Sequence, residues 1–188
     1  MRLVLLAAGN SRRFGENKLL FPLEGKPLYR YMLDRLLLVR AEMGAELVVV
    51  TQYGEIAQAC AGLPTRVLLN PESEKGISTS IRLGLSDIAE IPCAFFVADQ
   101  PYLSEETIVC FLRAWASSGK GIGCVAHEGE SGNPAVFASR YHGALRALAG
   151  DRGGKRVIRE HMDDTYLHQV ENARALMDID FRGDAVSE

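Results

Sequence analysis

Arg2-Leu-Val-Leu-Leu-Ala-Ala-Gly9-Asn10-Ser11-Arg12-Arg13-Phe-Gly15-Glu-Asn-Lys18 stands at the start of the chain, and its reading decides the fold. The run from Leu3 to Ala8 is apolar throughout, shorter than the ~7–15 residues of a secretion-signal core and followed by arginines. It reads as a strand buried on both faces, as in a parallel sheet covered by helices on both sides. A glycine-containing loop follows at once. Gly9 and Gly15 permit close backbone approach, and Arg12, Arg13 and Lys18 place three cations within seven residues. Such a loop can wrap a triphosphate. A Walker A loop does not fit, because five residues rather than four separate the glycines and no Gly-Lys-Ser/Thr follows. A dinucleotide fingerprint fails too: Asn10-Ser11 replaces its second glycine, and the second strand ends in Thr51-Gln52 without a ribose-binding carboxylate.

Outward from this loop, short apolar runs alternate with helical patterns. Leu47–Thr51, Val67–Leu69, Cys93–Ala98, Ile122–Ala126 and Ala135–Ala138 read as further strands. Leu28, Met32, Leu36 and Val39 mark one face of a helix, Ile81, Leu85 and Ile88 a second, and Ile108, Leu112 and Trp115 a third. Ser78 and Ser104 stand where N-caps are expected, and Glu105 and Glu106 suit the positive end of a helix dipole. Strand-helix alternation predicts an α/β fold, a three-layer sandwich. No repeat or low-complexity linker interrupts it, so residues 1–188 are expected to form one domain. In an open α/β sheet, ligands bind beyond the carboxyl ends of the strands, which directs the search to residues just after each apolar run.

Composition narrows the partners. The 188 residues are 47% hydrophobic, enough for a core without disulfides or a structural metal. With 21 Lys+Arg against 24 Asp+Glu the net charge is -3, which argues against a nucleic-acid-binding surface. Cys60, Cys93, Cys110 and Cys124 form no CxxC pair and read as reduced, mostly buried thiols. His127, His142, His161 and His168 show no metal-ligand or triad-like spacing. No segment approaches the ~18 apolar residues of a membrane span, so a soluble, cytoplasmic protein without membrane partners is expected.

Two further segments follow apolar runs. Phe95-Phe-Val-Ala-Asp99-Gln-Pro101 delivers an aspartate to the sheet's carboxyl edge, with Pro101 stopping the strand. A carboxylate so placed suits Mg2+, which usually bridges protein oxygen to substrate phosphate. Asn70-Pro-Glu-Ser-Glu-Lys-Gly76-Ile-Ser78-Thr-Ser80 offers hydroxyls and free backbone N–H groups at the start of an amphipathic helix. Taken alone, it is equally a well-capped helix.

Together, Leu6-Ala7-Ala8-Gly9 with Arg13, Gly15 and Lys18, then Gly76-Ile-Ser78-Thr-Ser80-Ile, Asp99-Gln-Pro101, Gly132-Asn133-Pro134, Gly150-Asp151-Arg-Gly153 and Asp178-Ile-Asp180 follow one another in a telling order. The series resembles that of the MobA-like nucleotidyltransferases, most nearly the molybdenum cofactor cytidylyltransferase type, from Leu3 to about Asp184. The resemblance implies a Rossmann-like, mostly parallel sheet of the nucleotide-diphospho-sugar transferase type. It implies transfer of NMP from an NTP, CTP foremost, to the phosphate of a molybdenum-loaded pterin, with release of pyrophosphate. A molybdenum hydroxylase would receive the product. By the same likeness Leu6, Ala7, Ala8, Gly9, Asn10 and Ser11, with Asn70, Gly76, Ser78 and Ser80, would contact the nucleotide. Arg12, Arg13 and Lys18 would hold the triphosphate, Arg13, Lys18 and Asp99 forming the catalytic set. Asp99 and Asp180 would bind Mg2+, Asp178 being the alternative to Asp180. Gly132, Asn133, Pro134 and Asp151 would face the acceptor.

The chain departs from the family at the acceptor end. Gly132-Asn133-Pro134 replaces the usual Gly-His-Pro, and Asp178-Ile-Asp180-Phe-Arg-Gly-Asp184 replaces the usual Asp-Ile-Asp-Thr-Pro-Glu-Asp. GTP as donor, a sugar or alcohol phosphate as acceptor, and a non-catalytic cofactor-binding chaperone therefore stand as alternatives.

Overall fold

Alternating side chains of the first strand feed two separate cores. In a computed structural model, which describes residues 1–11 and 14–181, β1 spans Arg2–Ala7. Leu3, Leu5 and Ala7 point into one apolar cluster and Val4 into another, as the two-residue period of a strand requires. The other strands are β2 (Pro22–Leu23), β3 (Lys26–Pro27), β4 (Glu46–Thr51), β5 (Arg66–Leu69), β6 (Cys93–Val97), β7 (Ile122–His127), β8 (Glu130–Phe137) and β9 (Thr165–Gln169). The helices are α1 (Leu28–Met43), α2 (Gly54–Ala59), α3 (Ile77–Gly84), α4 (Glu105–Ser118), α5 (His142–Arg146) and α6 (Lys155–Glu160).

Seven strands form one sheet in the order β5-β4-β1-β6-β8-β7-β9. β8 runs antiparallel to both its neighbours, and the other pairs are parallel. The mostly parallel α/β sandwich is therefore present. Met32, Leu36, Phe111 and Leu112 of α1 and α4 bury one face; Ile81, Leu145, Val157 and Ile158 of α3, α5 and α6 bury the other. Among the described residues, no helix is long and apolar enough to cross a membrane.

Local chemistry explains the element ends. Ser104 caps α4, its Oγ accepting from Thr107 N at 3.1 Å, as its sequence position suggested. Ser78 does not cap α3: that helix starts at Ile77 behind Gly76, and Ser78 lies buried inside the first turn. Leu85 and Ile88 are buried but lie past the end of α3. β8 begins at Glu130 rather than near Ala135, because Glu128 (φ 49°) and Gly129 (φ 84°) close a two-residue hairpin after β7. Cys60, Cys93 and Cys124 are buried free thiols, and Cys110 is exposed. Burial pushes the Cys93 thiol up to about 12, removing it from thiolate chemistry at neutral pH.

Candidate active site

Strand register brings the candidate segments to one level. Ala7 lies opposite Thr51 and Leu6 opposite Val97, so the chain leaves β1, β4 and β6 along a common carboxyl edge. A cavity of 190 Å3 opens there, walled by Ala8, Gly9, Asn10, Gly76, Ser80 and Asp99. It continues into a more polar funnel of 380 Å3 bordered by Ser11, Phe14, Lys18, Glu74 and Asp180.

The first loop is held from outside. Gln52 Nε2 donates to Ala8 O and to Asn10 Oδ1, both at 2.9 Å, and Tyr53 Oη donates to Gly9 O at 2.5 Å. Burial pushes the Tyr53 phenol up, which keeps it a donor. Asn10 in turn reaches Ser73 O at 3.4 Å. Further along, Lys18 N donates to Ser11 Oγ at 3.2 Å, and Asn17 Oδ1 accepts from Leu19 N at 3.1 Å, starting the short 3-10 turn Lys18–Leu20. Lys18 is thereby aimed at the funnel.

Its ammonium sits between two carboxylates, 2.7 Å from Asp99 Oδ2 and 2.8 Å from Asp180 Oδ1. Burial works against the charge, but Asp99 and Asp180 outweigh it and hold the Lys18 pKa above its ordinary value. The segment carrying Asp180 is irregular rather than a strand, and its anchor is Ile179: fully buried, its N–H donates to Asp99 O at 3.0 Å. Asp178 faces Gln100 instead of Lys18 Nζ. Packing around it and the like charge of Asp99 push its carboxyl up. Two hard oxygen donors converging on one cation suit Mg2+, which commonly takes one or two protein carboxylates and completes its shell with phosphate and water. No group of three or more His, Cys, Asp or Glu among the described residues could hold a metal without such help.

Other candidates occupy distinct places. Arg12 and Arg13 lie outside the described residues, as does Asp184. Leu6 lines the cavity, whereas the side chain of Ala7 belongs to the core. Asn70 stands behind the wall, fully committed: its amide donates to Thr79 and Ser80 hydroxyls at 2.9 Å and accepts from Glu72 N at 3.0 Å. It orients Ser80, which does line the cavity. Ser78 is not on the cavity wall; its N–H donates to Gly150 O at 3.2 Å, joining the Gly76 loop to the Gly150 loop. Asp151 borders the cavity, the funnel and a third, mostly apolar hollow of 280 Å3 where Asn133 also lies. Gly132 faces Leu176, and Pro134 follows in β8. Sequence reading passed over Gln52, Tyr53, Ile77 and Val97. The first two directly follow β4 and the last ends β6, so position at a strand end was the available signal.

Known proteins resemble this chain in sequence and in fold. The chain is 25% identical over 189 residues to the molybdenum cofactor cytidylyltransferase of Escherichia coli, covering 98% of this chain and 93% of that one. It is 32% identical to a probable molybdenum cofactor guanylyltransferase of Thermococcus gammatolerans, over 83% of this chain and 80% of that one. A nucleotidyl transferase from Methanothermobacter has the same fold, with a TM-score of 0.79, 21% identity and coverage of 97% and 93% of the two chains. Residues 3–165, from β1 to the first residue of β9, match the MobA-like NTP transferase domain, and the chain belongs to that nucleotidyltransferase family.

Proposed function

We propose that the chain transfers CMP from CTP to the phosphate of a molybdenum-cofactor-type pterin and releases pyrophosphate. The observation that carries this reading is Lys18 held between Asp99 and Asp180 at the mouth of the cavity walled by Ala8–Asn10 and Gly76–Ser80. CTP is preferred to GTP because the likeness to a cytidylyltransferase spans 98% of this chain, against 83% for the guanylyltransferase.

Attack of the acceptor phosphate oxygen on the α-phosphorus brings two anions together, so positioning and charge neutralisation dominate the chemistry. The second pKa of a phosphate monoester is ~6, so the nucleophile is ionised at neutral pH and no general base is assigned. The Ala8–Asn10 loop, clamped by Gln52 and Tyr53, and Ser80, oriented by Asn70, would seat the nucleoside. Lys18 would neutralise phosphate charge, with Arg12 and Arg13 as further candidate cations on the same loop. Asp99 and Asp180 would hold Mg2+, which supplies Lewis-acid polarisation of the phosphoryl oxygens. The product would pass to a molybdenum hydroxylase.

The test is incubation with molybdopterin-containing acceptor, Mg2+ and each NTP in turn, with mass detection. A cytosine dinucleotide of the cofactor is expected. A guanine product would move the donor to GTP, and binding without any product would favour the chaperone.

A further inference from the structure

Beyond the nucleotide cavity the surface changes character twice. The 280 Å3 hollow shares Leu6, Ile77, Val97 and Asp151 with that cavity, so the two are continuous across the sheet edge. Its deeper wall is apolar, built from Phe95, Ala135 and Phe137 on β6 and β8 with Ile158 on α6. At its outer rim stands Lys155, which together with Gly153 also borders an open groove carrying Arg152, Arg156 and Arg159. These four cations are exposed within eight residues of a chain whose net charge is -3. Arg152, Lys155 and Arg159 have no ion-pair partner among the described residues, and Arg156 pairs only with Glu160, at 2.8 Å. Glu160 also lines the groove, but four cations against that one carboxylate leave a local positive excess, which focuses anions on an otherwise acidic protein.

We infer that the acceptor is anionic at both ends: its phosphate enters the Lys18 funnel, its ring body fills the apolar hollow, and a second anionic group meets Arg152, Lys155 and Arg156 at the rim. This deepens the proposed function and rests on it for the direction in which the acceptor lies. Asp151, exposed and without an ion-pair partner among the described residues, stands at the junction and suits an N–H or O–H of the ring body. The order along the path is thus phosphate, hydrogen-bond donor, apolar ring, anion.

The test uses two aryl phosphates identical except for a para carboxylate or its uncharged carboxamide isostere, titrated calorimetrically into the full chain at low salt. The carboxylate is expected to bind about tenfold tighter, the scale of one charge-assisted hydrogen bond. That preference should disappear in an R152Q/K155Q/R156Q variant whose thermal melting matches the parent. Equal binding of the two compounds by the parent overturns the inference and leaves the cations to a larger acidic partner such as a protein face. A preference that survives in the variant overturns it as well. CTP titrated into the parent keeps the two claims apart: absent CTP binding contradicts the proposed function, while the carboxylate preference reports on the rim by itself.

Discussion

The two sides of the sheet's carboxyl edge are finished differently. On the β4-β1-β6 side, the groups around the 190 Å3 cavity are tied to protein: Gln52 and Tyr53 hold the first loop, Asn70 holds Ser80, and Lys18 is gripped by two aspartates. On the β8 side, the side chains of Asn133, Asp151 and Lys155 border a hollow without a hydrogen-bond or ion-pair partner among the described residues. A site whose groups are already tied to protein costs little reorganisation during reaction, whereas one left open is completed by its ligand. The contrast accords with a chain whose nucleotidyltransferase family is shown while its acceptor stands as a proposal.

The largest expected effect breaks the organised side. Asp99→Asn removes half of the carboxylate pair around Lys18 and should lower kcat by about 10²–10³-fold in steady-state pyrophosphate release, with melting little changed. Near-parental turnover at saturating Mg2+ would remove Asp99 from the chemistry. Next comes the seam between the two sides. Gly76 has φ +101°, and a Cβ there would lie 2.3 Å from Gly150 C and 2.4 Å from Gly150 O. Gly76→Ala should therefore cost about 2–3 kcal/mol in urea unfolding, through backbone strain and overpacking together. Parental stability would show that the loops can part without loss. The smallest effect sharpens the comparison: Tyr53→Phe deletes one hydrogen bond to the first loop and should raise KM for the NTP about fivefold, near 1 kcal/mol, at constant kcat. An unchanged KM would mean that the loop keeps its shape without the clamp.

Much of the sheet was legible because β1, β4 and β6 are covered on both faces and therefore written as apolar runs. β9 was not, since Thr165–Gln169 is a half-exposed edge strand with polar side chains. The reversal at β8 was hidden because its hairpin uses Glu128-Gly129 rather than the commoner Asn-Gly or Asp-Gly. Lys18 and Asp99 could be singled out from their places beyond strand ends, and the structure brings them together. That Asp180 rather than Asp178 pairs with Lys18 depends on where Ile179 anchors an irregular segment, which no periodicity encodes. Gln52 and Tyr53 act on backbone carbonyls, a contact that leaves no pattern in side-chain order. The -3 net charge likewise concealed two local concentrations of cations, one at the first loop and one around α6.

The proposed chemistry is attack on the α-phosphorus within the organised side. Its most direct test is transfer of label from CTP carrying 32P at either the α or the γ position, in the presence of molybdopterin acceptor and Mg2+. The α label is expected on the acceptor and the γ label in pyrophosphate. Appearance of γ label on the acceptor, or retention of both labels in unreacted CTP, would contradict it.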